Sequence, residues 1–292
     1  MLRAIPDPPE ALYWRGLLPR TALAVAFVGS RRPTGYGRRM ARSLAGAAAR
    51  AGLVVVSGLA RGIDSEAHEA ALAAGGTTWA VLGSGLDRVY PPENAGLAER
   101  IERSGGCLLS EFAPGTPPLA GHFPRRNRVI AGLCWAVVVV EGRLKSGSLI
   151  TARLAANQGR AVLAVPGPAD SSLSEAPHLL IQEGARAMTR LEDLIEELPP
   201  ICGARWARQG SLAGPGGGLE EEHPSDGKPG QVEGGERGRI LDIIGHSGAT
   251  LDEIVSEAGL DLPRISHIIF QLELEGLVAA LDGQRYARLG SY

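Results

Sequence analysis

The stretch HFPRRNRVIAG (122–132) sets Arg125, Arg126 and Arg128 within four positions, carries no carboxylate and runs straight into an apolar segment. A guanidinium keeps its charge at any physiological pH and offers a planar fork of donors, a geometry that grips phosphate or carboxylate oxygens. Asn127 adds an amide suited to a phosphate or a base edge, and Phe123 adds a flat face on which a base can stack. Three further stretches combine glycine, cation and hydroxyl. They are GSRRPTGYG (29–37) with Gly29, Ser30, Arg31 and Arg32, SGLARGID (57–64) with Gly58 and Arg61, and EGRLKSGSLITA (141–152) with Lys145, Ser146, Gly147, Ser148 and Thr151. Glycine lets backbone approach a ligand, and a helix that follows turns free N–H groups toward an anion. One such loop is weak evidence; several on one edge of a fold make an anion site.

The elements that must position these loops are short apolar runs: 23–29, 53–58, 79–85, 107–111, 135–141 and 161–167. They lack in/out alternation, so both faces are covered, as in a parallel sheet between helices. Ala-rich stretches at 38–52 and 64–76 lie between them and end in glycine, as helices do. The reading is a doubly wound, Rossmann-like α/β domain over 21–198, preceded by a Pro-containing lead-in (1–20) packed on the sheet edge. Residues 199–236 are rich in Gly and Pro and read as a flexible linker. The pattern over 237–288, three short helices and two strands around Asp282-Gly283, reads as a winged helix-turn-helix. An open parallel sheet binds ligands at the carboxyl ends of its strands, which is where 29–37, 57–64, 83–94 and 141–152 fall.

Which anion follows by elimination. A dinucleotide site wants G-x-G-x-x-G after the first strand and an acidic residue ending the second; here those places hold GSRRPTG and Val56-Ser57-Gly58. The phosphate loop G-x-x-x-x-G-K-[ST] is absent as well. A polyanion gripped at several separated phosphates remains, namely a nucleic acid strand. Blander readings stand beside this one: arginines that cap a helix or pair with carboxylates across a dimer, and a Phe123 that anchors the core. Asp64 reads as the N-cap of the helix it precedes. His68 and His122 have no partners at metal or catalytic spacing, no G-x-S-x-G elbow is present, and no catalytic constellation, metal site or cofactor is expected. Cys107, Cys134 and Cys202 fit neither a disulfide framework nor a zinc site, and without a membrane-length apolar run or a signal segment the chain reads as cytoplasmic and not membrane-inserted.

Net charge is −2, but it is unevenly spread: 21–198 carry 19 basic and 16 acidic residues, whereas 237–288 carry 5 and 8. Duplex binding draws its affinity from neutralised phosphates, so an acidic winged helix, with Glu273 and Glu275 beside Arg264 and His267, reads as a protein-interaction element.

In this order the blocks GSRRPTGYG, VVSGLARGIDSEAHEAAL, AVLGSGLDRVYPPEN, LLSEFAPGTPP, HFPRRNRVIAGL, VVVVEGRLKSGSLITARLAANQGRAVLAVPG and LIQEGA closely resemble the DNA processing protein A (DprA/Smf) family. The resemblance implies a homodimeric single-stranded DNA-binding protein of natural transformation, without known catalysis, that protects incoming DNA and loads the RecA recombinase. It implies that Gly29 to Arg31, Phe123 to Arg128 and Lys145 to Ser148 line the DNA pocket. Two departures stand out. Many members carry a helical domain ahead of the Rossmann-like part, for which 20 residues leave no room, and a Gly-x-Asn usual before the Leu-Ile-x-x-Gly-Ala helix is replaced in SEAPHLLIQEGA (174–185). That helix is implicated in dimerisation and RecA contact, and Leu179, Leu180 and Ile181 supply one apolar position more than a single buried face needs, so an isologous dimer contact is expected there. The alternative is a phosphoribohydrolase on a related fold, which needs a PGGxGT-type loop and a catalytic glutamate; PGPADSS (166–172) and Glu141 are the nearest counterparts.

Overall fold

The computed structural model describes residues 1–17, 23–198, 233–245, 248–258, 260, 265, 268, 269, 272, 277–281 and 285–288. The chain divides into two units, Met1–Gly216 and Gly217–Tyr292. Most of the expected linker, together with Cys202, Arg264, His267, Glu273, Glu275 and the Asp282-Gly283 turn, lies outside the described residues.

All six expected strands are present in the first unit: β2 (Ala24–Val28), β3 (Val54–Ser57), β4 (Thr78–Leu82), β5 (Cys107–Ser110), β6 (Ala136–Val139) and β7 (Ala161–Ala164). Two more complete the sheet, β1 (Tyr13–Gly16) and the short β8 (Arg186–Ala187), in the order β1-β5-β4-β3-β2-β6-β7-β8. β2 through β8 are parallel, and β1 runs antiparallel on β5, Tyr13 facing Ser110 and Gly16 facing Cys107. The lead-in thus sits on the sheet edge, as an edge strand whose four residues are all exposed, which is why no apolar run announces it. Every residue of β2 to β6 is buried, because helices cover both faces.

One face carries α1 (Gly35–Arg50), α2 (Ile63–Ala73) and α7 (Leu191–Ile195), packing Leu44, Ile63 and Leu194 on Phe27, Val55 and Leu163. The other carries α4 (His122–Leu133), α5 (Gly147–Asn157) and α6 (Glu175–Gln182), packing Ile130, Leu149 and Leu180 on Val28, Val56 and Val137. α3 (Ala95–Arg103) seals Leu59, Leu82 and Leu108 beneath Leu97 and Ile101. The chain winds outward from β2 to β5, then crosses back through α4 to place β6 beside β2. The HFPRRNR stretch forms the first part of α4, whose N-terminus lies at the carboxyl edge of the sheet.

The second unit has the winged-helix elements in order: α8 (Glu233–Ile244), β9 (Ala249–Thr250), α9 (Leu251–Ala258) and a hairpin of β10 (Val278–Leu281) with β11 (Arg285–Arg288). Its first helix begins inside the stretch that composition assigns to the linker. Ile265, Ile268, Ile269 and Leu272, at helical spacing, join Ile240, Ile244 and Ile254 in one core. A reciprocal capping box starts α9: Glu253 N–H donates to Thr250 Oγ1 (3.3 Å) and Thr250 N–H to the Glu253 carboxylate (2.7 Å).

Candidate functional site

The carboxyl ends of three adjacent strands, β2, β3 and β4, and the first turns of α4 enclose a shallow, open pocket. Its floor is built by the turn Gly58-Leu59-Ala60. Leu59 is fully buried with φ +57°, a left-handed conformation costly for a bulky residue, on the order of 1–3 kcal/mol. Three hydrogen bonds from two side chains hold the turn in place. The Asp64 carboxylate accepts the N–H of Gly58 (3.1 Å) and of Ala60 (3.3 Å), and Asn94 Nδ2 donates to the Leu59 carbonyl (2.8 Å). Asp64 is thus not the N-cap that the sequence suggests. Gly62, at φ +77°, occupies that position, and its backbone turns the first helical residues back toward the preceding loop.

Arg126 crosses beneath this turn, nine-tenths buried, and donates to the carbonyls of Gly58 (2.8 Å) and Val81, tying the ends of β3 and β4 together. A Cβ on Gly58 would lie 2.5 Å from the guanidinium, so only glycine admits the arginine. Burial lowers the Arg126 pKa to about 10, leaving it charged at neutral pH, and the nearby Asp64 carboxylate opposes that shift. Burial raises the Asp64 pKa, against the pull of Arg126.

At the mouth, the Arg31 guanidinium lies over the Phe123 ring, 5.6 Å from its centroid, and Tyr90 meets the same ring at 5.6 Å and 45°. Phe123 is half-buried against Gly83, so it anchors α4 to the end of β4 while still lining the pocket. Arg61, on the opposite rim, pairs with Glu93 while its side chain stays 61% exposed. The arrangement offers an aromatic face for a flat apolar group and two rim cations for the anion attached to it. The sequence did not point to Tyr90, although it stands in the YPPEN stretch after β4.

Other expected site residues have different surroundings. Arg128 is buried and bonded to Asp7 (carbonyl 2.7 Å, carboxylate 3.0 Å) and to the Glu111 carboxylate (2.6 Å), so it ties α4 to the lead-in and to the end of β5 and does not face a ligand. Arg125 shares Glu111 at 3.1 Å but remains 62% exposed over Phe112. The absence of a carboxylate within 122–132 was misleading, since both partners come from distant parts of the chain. Asn127 is buried, accepting from Arg126 Nε (3.3 Å) and donating to the Gly147 carbonyl (3.3 Å). Ser146 caps α5 through Leu149 N–H, and Ser148 and Thr151 are buried, bonded to Ser146 Oγ (2.8 Å) and the Gly147 carbonyl (3.0 Å). These hydroxyls are engaged in internal bonds that shape the first turn of α5. Lys145 and Gly147 are exposed at the end of β6, on the far side of β2 from the pocket. Gly29, Ser30 and Arg32 belong to the loop that carries Arg31; Ser30 Oγ accepts Arg32 N–H (3.1 Å) and Arg32 is exposed.

The crevice between β2 and β6, where the winding reverses, is where doubly wound folds commonly seat a nucleotide phosphate on the following helix. Here the protein fills that place itself. The buried Glu141 carboxylate accepts the N–H (2.9 Å) and hydroxyl of Thr34, the N-cap of α1, and rests against Gly37, where a Cβ would lie 2.3 Å from the carboxyl carbon. A second anion there would meet a fixed negative charge. Glu141 is thereby committed to capping and does not stand free as the glutamate a phosphoribohydrolase needs.

Leu180 is buried in the core against the sheet, while Leu179 and Ile181 are half-buried beside it and keep part of their apolar surface in solvent. His68, fully buried, bonds Thr78 Oγ1 (2.6 Å), and burial followed by the charge of Arg126 lowers its pKa to about 3. Among the described residues no helix is long and apolar enough to cross a membrane.

Comparison with known proteins places this geometry. The model of the DNA recombination-mediator protein A family matches residues 1–199, and that of the DprA winged helix domain matches 224–284. Protein Smf of Escherichia coli is 40% identical over 292 residues, 99% of this chain and 74% of its own length. DNA processing protein DprA of Bacillus subtilis is 45% identical over 68% of this chain and 67% of its own length. Among solved structures, DprA of Streptococcus pneumoniae aligns with a TM-score of 0.62 at 43% identity, over 68% of this chain and 70% of that one. DNA processing protein A of Helicobacter pylori, whose structure is described for a unique single-stranded DNA binding mode, aligns with a TM-score of 0.61 at 32% identity, over 67% and 89% of the two chains.

Proposed function

The chain belongs to the DNA recombination-mediator protein A family, and from that premise we propose that it binds single-stranded DNA, without catalysis, in the pocket at the ends of β2, β3 and β4. The observation that carries this is Arg31 lying over Phe123 at the pocket mouth, with Tyr90 beside it and Arg61 on the opposite rim. A base stacks on the aromatic pair, and its flanking phosphates meet the two arginines. Arg125, exposed on the outer side of α4, and Lys145, on the other side of β2, serve as outlying phosphate contacts. Arg126, Asn127, Gly58 and the α5 hydroxyls keep the geometry without touching the strand. The resemblance in sequence extends the proposal to a homodimer that protects incoming DNA in natural transformation and loads RecA, with the α6 surface at Leu179 and Ile181 as the place to look for the dimer contact.

The test is a binding titration with oligo-dT, oligo-dA and duplex at two salt concentrations. Both single strands should bind better than duplex, with log affinity falling at a slope of about −0.7 per neutralised phosphate. Equal affinity for duplex, or no dependence on salt, would remove the strand reading. RecA filament growth on a strand pre-coated with single-strand-binding protein tests loading, and sedimentation of the wild type and of Leu179→Arg tests the dimer.

A further inference from the structure

From Thr21 to Ile63 the chain carries seven arginines and not one aspartate or glutamate. Arg31 and Arg61 face the pocket, and Arg50 lies at the far end of α1. The other four, Arg32, Arg38, Arg39 and Arg42, are all exposed and all fall between the pocket loop and the second turn of α1. One carboxylate answers them: Glu66, buried at its base on α2, takes Arg38 at 3.2 Å and Arg42 at 2.5 Å. Arg32 and Arg39 make no ion pair among the described residues. Four cations sharing one carboxylate leave an uncompensated positive surface. Stabilising the fold accounts for Arg38 and Arg42 only in part, since one buried carboxylate needs one cation and both guanidinium groups are largely in solvent, and it does not account for Arg32 and Arg39.

This surface is continuous with the pocket. Arg31 and Arg32 are adjacent residues of the loop after β2, Thr34 caps α1 two positions later, and Arg38, Arg39 and Arg42 follow within two turns. From Gly35 to Arg42 the helix advances about 10 Å, room for the phosphates of roughly two or three nucleotides. We propose that the strand leaves the pocket past Arg31 and runs over the first two turns of α1, where Arg32, Arg38, Arg39 and Arg42 form a track for its phosphodiester backbone. The track rests on the strand-binding reading of the pocket and extends it. Its one aromatic residue, Tyr36, is half-buried with its hydroxyl donated to the Pro166 carbonyl, so the track takes phosphates of any sequence and reads no bases.

A length series separates the track from the pocket. In the variant Arg38→Gln/Arg39→Gln/Arg42→Gln the stems stay, the pocket is untouched and the melting temperature serves as a check on folding. Affinity for dT3, whose two phosphates flank the one base the pocket stacks, should stay within twofold of wild type, while affinity for dT20 should fall tenfold or more. The salt slope on dT20 should flatten by about 0.7 for each phosphate no longer neutralised, with no change on dT3. Equal losses on both lengths would mean the arginines act through the pocket, and undiminished affinity for dT20 would free this surface for some other partner; either result overturns the track alone. Failure of the wild-type protein to bind dT3 and dT20 would overturn the pocket reading, and the track with it.

Discussion

Two groups of arginines meet at the same edge of the sheet and have opposite surroundings. Arg31 and Arg32, in the loop after β2, are exposed and make no ion pair among the described residues. Arg126 and Arg128, in the first turns of α4, are buried and spent on carbonyls and carboxylates of the protein itself. The charge is identical, so the difference lies in what the fold brings within reach. Glu111 ends β5 and Asp7 belongs to the lead-in, and only the sheet order sets both beside α4. An arginine-rich motif therefore combines two roles. Some of its members hold a ligand, and others hold the edge on which the ligand sits.

The largest effect expected from this comparison is on stability. Arg128→Ala leaves the buried Glu111 with only the exposed Arg125, and Arg126→Ala leaves Asp64 buried without its countercharge. Removing Arg128 breaks a buried ion pair, at about 3–5 kcal/mol, and removing Arg126 leaves two buried carbonyls without their donor, at about 1–3 kcal/mol each, so each variant should melt roughly 10 °C lower in a unit of this size. For the same reason a triple replacement of Arg125, Arg126 and Arg128 would report on folding and not on phosphate contacts. A stable Arg128→Ala protein with a flattened salt slope would place Arg128 among the ligand-facing arginines and erase the distinction.

The buried side of the comparison also has a pH signature. His68 is held at about 3 by burial and by Arg126, far below the 6.5 of a free imidazole. The unfolded chain thus takes up a proton at a pH where the folded chain does not. Its contribution is fully present above pH 6.5 and is lost as pH falls toward 3. Between pH 6.5 and 5, before carboxylates titrate appreciably, this residue should remove about 2 kcal/mol. His68→Gln should show a flatter stability profile in that window, followed by denaturant unfolding. An unchanged profile would mean that the imidazole is already protonated in its buried site.

The exposed side predicts the reverse pattern. Arg31→Ala should weaken single-strand binding by about 5- to 150-fold, or ~1–3 kcal/mol, with an unchanged melting temperature and a salt slope shallower by about 0.7. Unaltered affinity in a folded Arg31→Ala protein would remove Arg31 from the site.

The sheet was legible because continuous apolar runs such as WAVVVVE need helices on both faces, and the loops followed once ligands were expected at the carboxyl edge. β1 was not legible as a strand, since Tyr13, Trp14 and Arg15 are exposed and alternate with nothing. Within the site, Gly58, Arg31 and Phe123 could be picked out by type and spacing. The separation of Arg126 and Arg128 from Arg31 could not, because it depends on Glu111, Asp7 and two backbone carbonyls that no local pattern connects to α4. The same holds for Glu141: its sequence neighbour Lys145 suggested a loop carboxylate, whereas its partner is Thr34, about a hundred positions earlier and one strand over.

Arg61 lies between the two groups, and the smallest expected effect comes from it. It lines the pocket, yet Glu93 already pairs with it, and both side chains are about half in solvent. An ion pair so exposed contributes little, so a phosphate can displace the carboxylate readily, unlike Glu111 on Arg128. In that exchange Glu93 has to turn away while remaining a nearby negative charge. Glu93→Gln should therefore raise single-strand affinity by roughly threefold, with the melting temperature unchanged. The salt slope should also steepen slightly, because Arg61 then begins free and neutralises a phosphate outright. A drop in affinity would instead make the Arg61–Glu93 pair a fixed part of the pocket wall, moving Arg61 to the structural side with Arg126 and Arg128 and leaving Arg31 as the rim cation that meets the strand.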